Sequence, residues 1–267
     1  MSPHEQRTHF EEQGYLAVPD LLSAKTLEAC QHEIERLHQL ASELENSGDT
    51  RSGSFQREPF TENVDREDGL PVLRKVENTR AFSEAFRDLA STPGLTSVVQ
   101  NLIGQDLLLF RSTLMLKPAY HGSAHGLHQD SAYWPMEPPT LVTVSIALND
   151  ATSDNGCIRV IPGSHKWGLQ EWGHIARADG EEMTDRKDVD VSGQIDVPLK
   201  AGSAVCFHSL MVHGSGANKS PRPRNTALYA YFSPAVRYVP ADGQPREKTF
   251  HVIAGLDGRT ELTLKAE

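Results

Sequence analysis

Cysteine is scarce in this chain: Cys30, Cys157 and Cys206 are three residues in 267. They are odd in number and far apart, with no CxxC pair. That argues against a disulfide framework or a thiolate zinc site and for a reducing compartment. Long apolar runs are missing as well, and no segment approaches the roughly 18 consecutive apolar residues that a bilayer span needs. The opening MSPHEQRTHFEEQGY lacks the apolar core of a secretory leader. The closing TLKAE is neither a peroxisomal tripeptide nor a lipidation site. A cytoplasmic protein that does not engage a membrane is the expectation. Positive charge is also in deficit, with Lys plus Arg 26 against Asp plus Glu 36 and a net charge of -10. This balance argues against a general nucleic-acid surface but leaves room for a local basic pocket.

The hydrophobic fraction of 38% and charged fraction of 23% suit a soluble globular chain with a sizeable core. The first part reads mainly as helix. SAKTLEACQHEIERLHQLASELENSG carries a cap at Ser23, a stop at Gly48 and apolar residues at helical spacing. Residues 47–70 are polar and aperiodic and read as a long, mobile loop. Two further helices are predicted over 79–90 and 93–103, the second with Pro93 in its first turn.

After residue 104 the pattern changes to short runs rich in Val, Ile, Leu, Thr and aromatics. DLLLFRSTLMLKP, LVTVSIALND, CIRVIPG, SAVCFHSLMVHG and NTALYAYFSP are separated by turn chemistry, including the hairpin signal DNG at 154–156. A β-rich core with helices gathered at one end predicts a double-sheet jelly roll or a barrel. Residues 163–195 form a charged insert, and KTFHVIAGLDGRTELTLK at the end reads as an added hairpin. Nothing resembles a linker, so one domain is expected: a mainly helical part with the loop at 1–104, the core at 105–240 and the tail at 241–267.

Chemistry concentrates in HGLHQDSAYWP, residues 125–135. His128 and Asp130 are two apart, so on a strand they share a face. Among the twelve histidines, those at 4, 9, 32 and 38 sit on predicted helix and read as structural. His121 and His125 flank a glycine-containing loop, and His165 after a Pro-Gly turn is expected to bond backbone. His208 and His213 end HSLMVH, where an odd separation puts them on opposite faces of one strand. His213 has the richer surroundings, a Gly-rich turn and then Arg224 entering the next strand. Two histidines and a carboxylate form the facial set that leaves open positions on iron(II), and a buried arginine suits a cosubstrate carboxylate.

HQDSAYW, NGCIRVIPGSHKWG and VHGSGANKSPRPRNTA, in this order, resemble the phytanoyl-CoA hydroxylase (phytanoyl-CoA dioxygenase) family of iron(II)- and 2-oxoglutarate-dependent oxygenases. The likeness runs from Lys75 to Phe232, and HFEEQGYLAVPDLLS resembles the family's opening. The resemblance implies a mainly β fold with flanking helices around a double-stranded β-helix (jelly-roll, cupin-like) core. It implies metal ligands at His128, Asp130 and His213. It places Arg224, eleven residues beyond His213, on the far carboxylate of 2-oxoglutarate, with Arg222 as a competitor. Ser215, Lys75 and Thr113 are implied as cosubstrate neighbours, although Ser215 and Thr113 also suit satisfied hydroxyls. An aromatic found in some members would fall at Ile146.

Tyr133 and Trp134 are expected over the substrate. Arg111, in parity with Thr113, is expected either to hold an anionic substrate group or to form a surface ion pair. The implied reaction consumes Fe(II), 2-oxoglutarate and O₂ and hydroxylates an aliphatic C–H bond of a small molecule, releasing succinate and CO₂. Related halogenases lack the carboxylate that Asp130 supplies. HQDSAYWPMEPP does not resemble the ectoine-hydroxylase motif, and no basic cluster favours a CoA ester. A cupin-type metal-dependent hydrolase or isomerase, or a non-catalytic small-molecule binding protein on the same barrel, stand as alternatives. Monomer and homodimer are both compatible.

Overall fold

Two capped helices begin the chain. Helix α1 (Pro3–Gln13) opens with a capping box between Ser2 and Glu5, and α2 (Ala24–Ser47) opens with Ser23 accepting from the Thr26 N–H. Gly14 and Gly48 close them in the left-handed conformation. The computed structural model describes residues 1–59, 66, 68–172 and 188–266. Helix α2 buries Cys30, Ile34, Leu37, Ala41 and Leu44 along one face, the spacing that the sequence predicts. Helices α3 (Glu84–Leu89) and α4 (Pro93–Ile103) fall inside the expected windows. No described helix is long and apolar enough to cross a membrane.

The first 104 residues are less purely helical than their composition suggests. They also hold β1 (Tyr15–Val18), β2 (Phe55–Arg57) and β3 (Leu73–Glu77). Of the expected loop at 47–70, Thr50–Ser54 is a 3₁₀ turn and β2 is a strand, while residues 60–65 and 67 lie outside the described residues. Strand β2 pairs with β3, so tertiary partners override the weak local propensity.

The remaining strands are β4 (Leu107–Lys117), β5 (His125–His128), β6 (Met136–Glu137), β7 (Val142–Ala147), β8 (Ile158–Val160) and β9 (Ile195–Val197). They continue with β10 (Ala204–His208), β11 (His213–Ser215), β12 (Arg224–Phe232) and β13 (Arg237–Tyr238). The chain ends with β14 (Glu247–Ala254) and β15 (Glu261–Lys265). A nine-stranded sheet runs β1-β10-β7-β12-β4-β14-β15, with β3 also on β4 and β2 on β3. A four-stranded sheet runs β5-β11-β8-β9, and β13 pairs with β6. Two unequal sheets flanked by helices make the expected mainly β architecture, and β14 and β15 form the expected terminal hairpin.

Two local expectations are corrected. DNG is not a hairpin turn, because β7 pairs with β10 and β12 whereas β8 pairs with β11 and β9. The turn carries the chain from the large sheet to the small one. Asn155 braces it, accepting from the Thr152 N–H at 2.7 Å and donating to the Asp150 carbonyl at 2.8 Å. Gly156 has φ +80, and a Cβ there would stand 2.3 Å from the Gly216 carbonyl oxygen, so only glycine fits. Nor is HSLMVH one strand. His208 ends β10 in the large sheet and His213 begins β11 in the small one, with the crossing at 209–212. The charged insert contributes a 3₁₀ turn at Ser164–Trp167 and β9 at its end, while residues 173–187 lie outside the described residues.

The large sheet alternates on β12: Tyr229 and Tyr231 point to the helical side, where they are fully buried. Their hydroxyls donate to the Phe86 carbonyl at 2.7 Å and the Ala90 carbonyl at 2.8 Å, pinning the α3 segment onto the sheet. Cys30, Cys157 and Cys206 are all buried and free. Tyr231→Phe is expected to lower unfolding free energy by about 1–2 kcal/mol by orphaning a buried carbonyl, measurable as a lower urea midpoint at unchanged m.

Candidate active site

Antiparallel pairing of β5 with β11 sets His128 directly opposite His213, with ring centroids 4.3 Å apart. Each Nδ1 lies 2.9 Å from a backbone carbonyl two residues earlier, Gly126 for His128 and Met211 for His213. A carbonyl only accepts, so both Nδ1 atoms carry the proton and both Nε2 atoms present lone pairs. Asp130 opens a 3₁₀ turn directly after β5. Its Oδ1 stands 3.6 Å from His128 Nε2 and 3.9 Å from His213 Nε2. Its Oδ2 accepts from the Thr143 hydroxyl at 2.8 Å.

One ligand atom from each of the three residues lies within 4.8 Å of the others. Burial alone would raise the Asp130 carboxyl, but His213, His128 and Thr143 outweigh it and hold the pKa at about 2. Burial, and then the neighbouring His128, pushes His213 down to about 4. An anionic carboxylate and a neutral imidazole at neutral pH are the forms that ligate a metal. The donor set, two nitrogens and one oxygen on one side, fits iron(II).

A cavity of about 300 Å³ surrounds this triad. Residues expected at the cosubstrate, Arg224, Ser215, Lys75 and Thr113, all line it, as do Tyr133, Trp134 and Arg111. Arg224 is buried at the start of β12. Its Nε donates to the Gly156 carbonyl at 2.9 Å and its Nη1 to the Thr226 hydroxyl at 3.0 Å. Burial lowers its pKa only to about 10, so it stays charged. No carboxylate pairs with it among the described residues. The Thr113 hydroxyl is likewise buried and unpartnered. A buried cation without a carboxylate is costly unless an incoming anion pairs with it, and a dicarboxylate would do so.

A family model described as phytanoyl-CoA dioxygenase (PhyH) matches residues 10–226. The chain belongs to the phytanoyl-CoA dioxygenase family. It is therefore an iron(II)- and 2-oxoglutarate-dependent oxygenase. It is 28% identical over 273 residues to the peroxisomal phytanoyl-CoA dioxygenase of Bos taurus, covering 98% of this chain and 79% of that protein. It is 30% identical over 187 residues to the L-proline trans-4-hydroxylase of Streptomyces griseoviridis, covering 62% of this chain and 69% of that one. The crystal structure of the epimerase SnoN with Fe3+, alpha ketoglutarate and nogalamycin RO superposes with a TM-score of 0.67 at 22% identity, over 99% of this chain and 94% of that one.

Other placements divide. Ile146, the position of an aromatic in some family members, lies in the core on the opposite face of β7, and the cavity side carries Thr143 and Ser145. The strand's alternation decides this, because even positions of β7 pack against the helices. Arg222 meets Asn218 and Ser220 through its backbone, its carbonyl accepting from both side chains and its N–H donating to the Ser220 hydroxyl, and it does not line the cavity. His165 Nε2 donates to the Glu11 carbonyl at 3.1 Å, as expected from the Pro-Gly turn. His125 lines the cavity with its ring steeply tilted to that of His128, centroids 5.0 Å apart, and burial drives its pKa well down.

The sequence reading missed Gln129, which stands between two of the triad residues and points away from the cavity. It is fully buried and saturated. Its amide donates to the Gly168 carbonyl at 2.9 Å and the Leu210 carbonyl at 2.8 Å. Its carbonyl oxygen accepts from the Gln170 N–H at 2.8 Å and the Trp172 indole at 3.0 Å. One side chain thus ties His128 and Asp130 to the 209–212 crossing that delivers His213, and both to the root of the insert. The parity of HQD was the available signal. Gln129→Met, close in shape but without these bonds, is expected to destabilise the fold by about 2–4 kcal/mol. A drop in Ni(II) affinity of ~10-fold or more is also expected, read by titration calorimetry with Tyr231→Phe as the destabilised control.

Proposed function

We propose that the chain hydroxylates an aliphatic C–H bond of a small molecule, and that His128, Asp130 and His213 hold the iron. The observation that carries this reading is the convergence of two Nε2 lone pairs and a carboxylate in one cavity with a buried arginine that has no carboxylate partner among the described residues. Three protein ligands leave positions open for a chelating cosubstrate and O₂. Iron(II) with 2-oxoglutarate and O₂ supplies the oxidising chemistry, giving succinate, CO₂ and one oxygen atom inserted into the substrate C–H bond.

The protein's own part is orientation. Arg224 presents a planar fork to the distal carboxylate of 2-oxoglutarate, aimed by the Gly156 carbonyl and the Thr226 hydroxyl. Thr113 and Ser215 supply neighbouring hydroxyls from β4 and β11. The Lys75 ammonium already bonds Glu77 at 2.6 Å, so it offers the cosubstrate only its remaining donors. Tyr133 and Trp134 wall the substrate side and exclude water. Asp130, fixed through Thr143, keeps the third ligand position on protein oxygen, which supports hydroxylation. A cupin-type hydrolase or isomerase would have no use for Arg224. The cavity draws residues from Gln56 to Ala230, which supports one oxygenase domain across the chain.

Anaerobic addition of Fe(II) and then 2-oxoglutarate is expected to produce the visible charge-transfer absorption of the chelate. Arg224→Gln should raise the 2-oxoglutarate Kd by ~10–100-fold, the worth of a charge-assisted hydrogen-bonded pair. Wild-type protein without the band, or a variant with unchanged Kd, contradicts the proposal.

A further inference from the structure

The outer half of the cavity holds charge that these roles leave unused. Both oxygens of Glu77 accept from Arg111 Nη2, at 2.9 and 2.7 Å, and Oε1 also meets Lys75 Nζ at 2.6 Å. Two cations against one carboxylate leave one positive charge. Among the described residues Arg111 Nε and Nη1 have no acceptor, so most of its fork is open. The side chains of Lys75, Glu77 and Arg111 are 21%, 32% and 33% exposed, within reach of a ligand entering the cavity.

Backbone geometry aims Arg111 there. The pairing of β12 with β4 slips at one point, where Ala230 faces Arg111 and Tyr231 faces Leu109. Phe110 is the extra residue of this β-bulge. Consecutive residues therefore serve the same side: Arg111 lines the cavity, and Phe110 packs against the cavity-lining Trp134 at 4.9 Å. Across from Arg111 stands only the methyl of Ala230, and across from Thr113 stands Leu228. The guanidinium thus looks over a small, apolar stretch.

Formal charges sharpen the point. With neutral histidines, iron(II), Asp130, Arg224 and dianionic 2-oxoglutarate cancel, as do the cavity-lining Arg74 and the buried Glu58 near it, so the surplus of Lys75 and Arg111 over Glu77 is what an arriving substrate meets. We propose that Arg111 is the carboxylate subsite for the primary substrate, a small monocarboxylic acid whose aliphatic body lies along Leu228, Ala230 and Trp134. Glu77 is the resident competitor that the substrate carboxylate partly displaces. The proposal rests on the oxygenase reading and adds the substrate class to it.

Hexanoate and hexanamide, alike in shape and different in charge, test it on the Zn(II)-substituted protein loaded with 2-oxoglutarate, by saturation-transfer NMR. Hexanoate is expected to bind ~10-fold or more tightly than hexanamide. Arg111→Gln should abolish that preference, and Arg111→Lys should keep part of it. Glu77→Gln should tighten hexanoate by ~3- to 5-fold by removing a partly exposed competitor. Equal binding of the two probes, no binding of hexanoate by either wild type or Glu77→Gln, or an unchanged preference in Arg111→Gln overturns the subsite. The Fe(II)–2-oxoglutarate absorption, recorded without probe on the same proteins, separates the two failures. A band without carboxylate preference sinks the subsite alone, and no band sinks the oxygenase reading.

Discussion

Two imidazoles can aim lone pairs at one point only when their other nitrogens are tied down. Here the ties are backbone carbonyls two residues upstream, at Gly126 and Met211. They hold only if β5 and β11 keep the register that puts His128 opposite His213. A slip of one strand by one residue would turn its histidine to the opposite face from the other. The small sheet is short, with three or four residues to a strand, so its own ladder is a weak guarantee of register. Gln129 supplies what the ladder lacks, since its four bonds reach the crossing before His213 and the segment after Gly163. Breaking them would leave polar groups unpaired on two separate segments, around Leu210 and over 168–172, a penalty larger than the net worth of any single bond.

The same logic of connection explains the turn at 154–156. A turn joining paired strands needs only to reverse the chain, whereas this one changes sheets and ends with the Gly156 carbonyl on Arg224. The Gly216 backbone closes in on Gly156, and the Lys117 ammonium bonds the Gly216 and Ser123 carbonyls. Burial pushes the Lys117 pKa well down, which is tolerable because two carbonyls satisfy it. Arg224 is therefore set by loops from both sheets.

What was legible in the sequence follows the range of the interactions involved. Helices α2 and α4 declared themselves through local periodicity and caps, and β4 and β12 through long β-branched and aromatic runs. The triad was readable because HxD and a distal histidine keep fixed local surroundings. Illegible features depend on distant partners. Strands β1 and β2 have no pattern of their own and exist because β10 and β3 receive them. Ile146 and Thr143 differ only in parity on β7, and parity needs one known inward residue before it can be counted. Arg111 was expected either in the cavity or in an ion pair, and it is in both, because Glu77 comes from β3 through long-range pairing.

Along the cavity wall, polarity is graded by a single strand. On β12 the inward positions run Arg224, Thr226, Leu228 and Ala230, from a charge through a hydroxyl to aliphatic carbon. Opposite them β4 presents Met115, Thr113 and then Arg111, just short of the Phe110 bulge. The deep end thus suits one dicarboxylate and rejects an aliphatic chain, whose insertion would strand the Arg224 charge without a partner. The outer end reverses this preference, with carbon against Leu228 and Ala230 and one open fork at Arg111. On the proposed function, two ligands would enter in only one order of depth. A substrate too apolar for the deep end cannot replace the cosubstrate, and a dicarboxylate at the outer end would meet Glu77 at close range. Alternation on two paired strands and one bulge are enough to produce that sorting, with no moving part required.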